Sequence, residues 1–157
     1  MSEEFKGYSS ISKSEVQGYL VHIYEWDSPS GAITPKHAVA VHLKQKQEIN
    51  VAIKTFTEDL QSSLSLMEDR IFTGDEDFDA KIIAFGIGGD KVLPVFTSEI
   101  KKMMLDDDHL SMDINPEVVV IRRYGEAGVS EMLQHDINLS ISTAQVVDTI
   151  TEGKIFA

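Results

Sequence analysis

The residues best suited to bind a ligand lie in two short segments, each placed directly after a predicted strand. The first is the run FGIGGDK at residues 85–91, which contains Gly86, Gly88, Gly89 and Lys91. Glycines let backbone N–H groups converge on an anion, the helix that follows adds the positive end of its dipole, and Lys91 supplies a counter-charge. The run has neither the spacing of a Walker loop nor a clean GxGxxG pattern, because the last glycine of that pattern would fall at Lys91. A small-anion site and a plain strand-to-helix turn are therefore the two explanations of this segment.

The second segment is the run IRRYGEAG at residues 121–128. It holds Gly125 and two of the chain's three arginines, Arg122 and Arg123. Paired guanidinium groups suit the recognition of a carboxylate or a phosphate, and Gly125 opens the backbone to a ligand. Neutralisation of neighbouring acids explains the same arginines without any ligand. A small anionic or phosphate-bearing ligand would be bound where the loops 86–91 and 122–128 meet.

The other polar residues do not form the patterns that catalytic or metal sites require. His22 and His42 lie on neighbouring predicted strands, but Glu25 falls on the opposite strand face from His22. The run DDDH at residues 106–109 lacks the spacing of an EF-hand, and the chain has no G-x-S-x-G motif. It also has no cysteine, which excludes thiolate catalysis, disulfides and thiolate metal ligation. These residues therefore support no enzyme assignment, and we expect no metal and no cofactor.

Composition and charge narrow the class of protein further. Hydrophobic residues make up 42% of the chain, enough for a packed core, and no stretch approaches the roughly 18 consecutive apolar residues of a membrane span. The N-terminus lacks the basic start, apolar middle and cleavage site of a secretory signal. The formal net charge of −12 repels phosphate backbones, so direct nucleic-acid binding is not expected. These features predict a soluble cytoplasmic protein with neither nucleic-acid nor membrane partners.

Hydrophobic periodicity predicts an N-terminal hairpin followed by alternating helices and strands. Residues 1–16 are polar and rich in serine, which predicts a flexible N-terminal arm, and residues 17–157 are expected to form a single domain. His37 stands at a strand start, where we expect it to be exposed. The predicted elements are strands at 18–26 and 36–44, a helix at 50–69, a strand at 80–85, a helix at 93–105, a strand at 117–121, a helix at 126–135, a strand at 138–141 and a last helix at 142–151. Residues 145–157 also fit a hairpin, because they include several β-branched residues.

This order of elements is typical of an α/β fold with three layers. Alternating strands and helices imply a mixed sheet, made of the hairpin and the later strands, with helices on both faces. Since no catalytic constellation stands out, we expect a domain that acts through protein–protein contacts, as an accessory subunit or a homo-oligomer. Binding of a small anionic ligand by the two loops is the alternative.

Overall fold

The computed structural model describes residues 8–26, 37–55, 70–87, 91–105, 110–123 and 129–151. The strands in these ranges are β1 Tyr8–Val16, β2 Tyr19–Trp26, β3 His37–His42, β4 Asn50–Thr55, β5 Arg70–Ile71, β6 Ile82–Ile87, β7 Leu110–Ile114 and β8 Val118–Arg123. The helices are α1 Glu76–Lys81, α2 Ser98–Leu105 and α3 Val129–Thr151, and Leu93–Val95 form a short 3-10 helix. Within the described ranges, no helix is long and apolar enough to cross a membrane.

The eight strands form one sheet in the order β1-β2-β3-β8-β7-β4-β6-β5, and every neighbouring pair is antiparallel. β1 joins β2 through a tight turn at Gln17 and Gly18, whose φ angles of 52° and 84° match the twist that hairpin turns need. The segment expected to be an N-terminal arm thus contributes its residues 8–16 to the sheet, as the edge strand β1. Residues 1–7 lie outside the described residues.

Strand directions alternate across this sheet, so each end of the sheet collects particular strand termini. One end, called here the His37 end, carries the start of β3 and the end of β8. The opposite end, called the His42 end, carries the end of β3 and, because of the alternation, the ends of β7 and β6. β6 and β8 therefore finish at opposite ends of the sheet.

The main core lies between one face of the sheet and the described helices. Its strand residues include Val21, Ile23, Val39, Val41, Val51, Ile53, Met112, Ile114, Val119 and Ile121. Its helix residues include Phe78 of α1, Ile100 and Met104 of α2, and Leu139, Ala144 and Val147 of α3. A smaller buried cluster of Tyr24, Ala38, Ala40 and Val120 lies on the opposite face, because side chains alternate along a strand.

The prediction of a three-layer α/β domain with a mixed sheet and helices on both faces is wrong. The sheet is antiparallel throughout, and the described helices all contribute to the same core cluster on one face. The difference arises from β4 and β7, two strands that the hydrophobic periodicity did not predict. β4 lies between β6 and β7, and β7 lies between β4 and β8, so no pair of predicted strands becomes a parallel neighbour.

The helix predicted at residues 50–69 is wrong over residues 50–55, which form β4. Val51 and Ile53 are buried in the core and alternate with the half-buried Ala52 and Lys54. This period of two is the pattern of a strand. The alternating pattern covers only a few residues. The helical spacing of apolar residues further along the chain therefore dominated the prediction for the whole range 50–69. Residues 56–69 lie outside the described residues.

The strand predicted at 138–141 is also wrong, because these residues lie within α3, which runs without a break from Val129 to Thr151. Buried residues of this helix recur three or four positions apart, at Asp136, Ser140, Thr143 and Val147. That spacing places them on one face of a helix. Residues 145–151 belong to the same helix, so the hairpin alternative is wrong over them.

Candidate functional site

Of the first predicted ligand segment, the structure describes Gly86 and Lys91. Gly86 lies in β6 with a φ of 138°, and a Cβ atom added there would lie 2.3 Å from the backbone oxygen of Asn50 on β4. The close approach of these two strands therefore requires glycine at this position. The exposed Lys91 side chain lies 3.8 Å from the carboxylate of Glu48. Gly88 and Gly89 lie outside the described residues.

The two arginines of the second segment lie on opposite faces of β8 and each binds a carboxylate of this chain. Arg122 donates a hydrogen bond to Asp113 on the neighbouring strand β7. Arg123 is buried on the core face and binds Asp136 of α3 through two nitrogens, at 2.8 and 2.7 Å. Gly125 lies outside the described residues.

The last described residues of β6 and β8 lie at opposite ends of the sheet, Ile87 at the His42 end and Arg123 at the His37 end. This arrangement does not favour a single pocket made by both loops. The anion site at 86–91 and 122–128 stays a prediction.

A buried charged cluster, the His37 cluster, consists of His37, Arg123 and Asp136. His37 at the start of β3 lies opposite Arg123 at the end of β8 in the strand register, on the core face. α3 places Asp136 over this pair. The His37 Nε2 atom lies 2.6 Å from Oδ2 of Asp136, and His37 and Asp136 are both fully buried. The half-buried His135 adds a contact of 3.1 Å between its Nδ1 atom and the same carboxylate.

Asp136 is ionised at neutral pH. Burial opposes ionisation and is the largest influence, but hydrogen bonds from Arg123, His37 and His135, together with the Arg123 charge, outweigh it and lower the pKa of Asp136 to about 2. A carboxylate only accepts hydrogen bonds, so Nε2 of His37 is the donor. Its other ring nitrogen, Nδ1, is buried and has no hydrogen-bond partner within the described part of the chain.

The chemistry of the His37 cluster is that of an internal ion pair. A carboxylate that orients a histidine is the usual support for a general base. A general base must reach its substrate, however, and the side chains of His37 and Asp136 are 0% exposed. The cluster instead ties α3 to the ends of β3 and β8. The expectation that His37 is exposed is therefore wrong, and no sequence motif could have paired it with a carboxylate 99 residues away.

A second buried carboxylate, Asp148, lies twelve residues further along α3, at the other end of the sheet. Its Oδ2 atom accepts hydrogen bonds from the Tyr19 hydroxyl at 2.8 Å and from the backbone N–H of Lys44 at 3.3 Å. The Lys44 ammonium lies 4.7 Å from the centre of the Tyr19 ring. The Oδ1 atom of Asp148 is buried without a hydrogen-bond partner among the described residues.

His22 of the proposed histidine pair lies on the sheet face opposite the main core. Its Nδ1 atom lies 2.7 Å from the Tyr24 hydroxyl. Burial, followed by the charges of Lys13 and His42, lowers the pKa of His22, so this ring is neutral at pH 7. Among the described residues, no three histidine, aspartate or glutamate side chains are grouped so that they could hold a metal ion.

An apolar surface lies at the β5–β6 edge of the sheet; we call Phe72, Phe85 and Ile87 the edge surface. Phe85 and Ile87 alternate along β6 with the core residue Ala84, and Phe72 directly follows the core residue Ile71 of β5. These three side chains therefore lie on the face opposite the main core. Phe72 is 61% exposed and Ile87 is 70% exposed, and Phe85 between them is half-buried.

The chain that follows Phe72 forms an acidic turn, named here for Asp75, Glu76, Asp77 and Asp79. Asp79 accepts hydrogen bonds from the N–H and the hydroxyl of Thr73, at 3.0 and 2.8 Å, and from the N–H of Gly74 at 3.2 Å. Asp75 caps α1 by accepting a hydrogen bond from the N–H of Phe78 at 3.2 Å. That hydrogen bond, followed by the contact with Lys101, lowers the pKa of Asp75. The turn is thus fixed by its own carboxylates.

The opposite edge of the sheet, β1, has a different character. Its sequence is YSSISKSEV, in which serine recurs, and residues 12–15 are exposed. The pairing of β1 with β2 is interrupted by a bulge between Ser10 and Ser12. Polar residues, lysine and bulges are features that keep edge strands from pairing with other chains. The two edges of the sheet therefore differ in polarity: the β1 edge is polar, and the β5–β6 edge exposes large apolar side chains.

Comparison with known proteins gives a likeness of fold. No protein-family model matches the chain, and no curated protein matches it. Among solved structures, the chain is similar to the crystal structure of the mycobacterial trehalose monomycolate transport factor A, TtfA. The TM-score is 0.50 at 10% sequence identity, and the match covers 88% of this chain and 68% of that chain.

Proposed function

We propose that the protein works through contacts with another protein, as an accessory subunit, and that the edge surface is where the partner binds. The observation that carries this proposal is the exposure of Phe72 and Ile87, 61% and 70%, at one edge of the sheet. Single exposed apolar residues are common on protein surfaces. A run of them at one sheet edge is typical of a binding site.

The contrast between the two edges supports this assignment. β1 carries serines, Lys13 and a bulge, which discourage pairing with other chains, and the β5–β6 edge carries large apolar side chains instead. The β1 edge is protected against pairing with other chains, but the β5–β6 edge is apolar. A partner that covers the β5–β6 edge best explains this difference.

Arg122, Arg123 and His37, which catalysis or ligand binding could use, each bind a carboxylate of this chain. Arg123 and His37 bind Asp136, and Arg122 binds Asp113. These contacts favour a role without turnover of a substrate. The fold neighbour is named a transport factor, and we take that description of the other protein as a second support for a non-catalytic role here.

Net charge favours a different protein over a second copy of this chain as the partner. Each chain carries a formal charge of −12, and the acidic turn directly follows Phe72 in the sequence. Two copies joined through this edge would bring like charges together, which opposes association. Self-association through the edge surface is therefore the alternative outcome of the test below.

The proposal is tested by comparing two variants of the tagged full-length chain. Phe72→Ser combined with Ile87→Ser removes the edge surface, and Leu20→Ser, at a residue 46% exposed on β2, is the matched control. We expect a protein that co-purifies with the wild type and the control to be lost with the double variant. When both proteins are reconstituted in pure form, calorimetry should show an affinity at least about tenfold weaker for the double variant.

Unchanged affinity of the double variant would contradict the proposal. Light scattering of the purified wild type tests self-association. A dimer in the wild type that becomes a monomer in the Phe72→Ser, Ile87→Ser double variant would identify a homo-oligomer.

A further inference from the structure

We draw no further inference here: the strongest candidate, the cavity of about 430 Å³ between the first turn of α2 and residues 142–149 of α3, rests on a helix N-terminus, and neither of the two buried polar atoms without a hydrogen-bond partner among the described residues, Nδ1 of His37 and Oδ1 of Asp148, belongs to a side chain that lines it.

Discussion

The His37 cluster and the edge surface invert the usual placement of polar and apolar groups. His37, Arg123 and Asp136 are charged or polar and buried, whereas Phe72 and Ile87 are large and apolar and are 61% and 70% exposed. Removing a partner from a buried ion pair is costly to the fold, but removing an exposed apolar side chain is not. On this account, stability and the proposed partner contact are carried by separate parts of the molecule, so variants can test them separately.

The largest loss of stability is expected from Arg123→Met. It leaves the carboxylate of Asp136 buried without its cation, which should lower the free energy of unfolding by about 3–5 kcal/mol. The matched change at the neighbouring position, Arg122→Met, breaks a partly exposed pair with Asp113 and should cost about 1 kcal/mol. Urea unfolding measures both, and equal losses would show that burial does not distinguish the two arginines.

Gly86, which lies between Phe85 and Ile87 on β6, should be as sensitive to substitution as the buried cluster. Gly86→Ala places a Cβ atom against the backbone oxygen of Asn50 in a backbone conformation that disfavours alanine, so we expect a loss of about 2–3 kcal/mol. Gly74→Ala is the control, since its φ is also positive but nothing lies within 4 Å of an added Cβ. Its loss should be about 1 kcal/mol. Similar losses at both glycines would contradict the close contact between β4 and β6.

Acid should weaken the His37 cluster within a defined window. Because the pKa of Asp136 falls to about 2 from its ordinary 3.8, the unfolded chain takes up this proton before the folded one. The stabilisation from this group is complete above about pH 4 and is lost as the pH falls through about 2, a change of roughly 2 kcal/mol. Titration of the Asp136 carboxyl carbon by NMR checks the value, and a midpoint above 4 would contradict the assigned hydrogen bonds.

The smallest effect is expected at the edge surface. Phe72→Ser and Ile87→Ser should each change the free energy of unfolding by no more than about 0.5 kcal/mol, because both side chains are mostly exposed. Thermal unfolding of the two single variants measures this. A loss of several kcal/mol would show that these side chains serve the fold and would remove the separation between stability and binding.

Some of the fold follows from local sequence. The β-branched and aromatic run before Trp26 forms β2, and the predicted strand at 117–121 overlaps β8. Short strands with weak patterns were not predicted. β4 shows only two alternating buried residues, and β5 spans two residues in all. β4 and β5 are the neighbours of β6, and β7, which the local patterns also did not predict, is a neighbour of β8, so the antiparallel order could not be read from local patterns.

The candidate site was less accessible to sequence reasoning than the fold. Arg123 was predicted as a ligand-binding residue because of its charge. Its actual partner, Asp136, was not predicted, because Asp136 lay in a segment expected to connect a helix and a strand. The edge surface overlaps the glycine-rich run 85–91, in which the glycines rather than Phe85 and Ile87 suggested a site. Exposure of an apolar residue is a property of the folded chain, and no sequence pattern reports it.

Hydrogen–deuterium exchange of the full-length protein, alone and with its purified partner, tests the proposed contact most directly. We expect partner binding to slow exchange in β5, β6 and the acidic turn, with β1 and the segment of α3 around Asp136 unchanged. Protection centred on β1, or no protection at the β5–β6 edge, would contradict the assignment of the edge surface as the contact site.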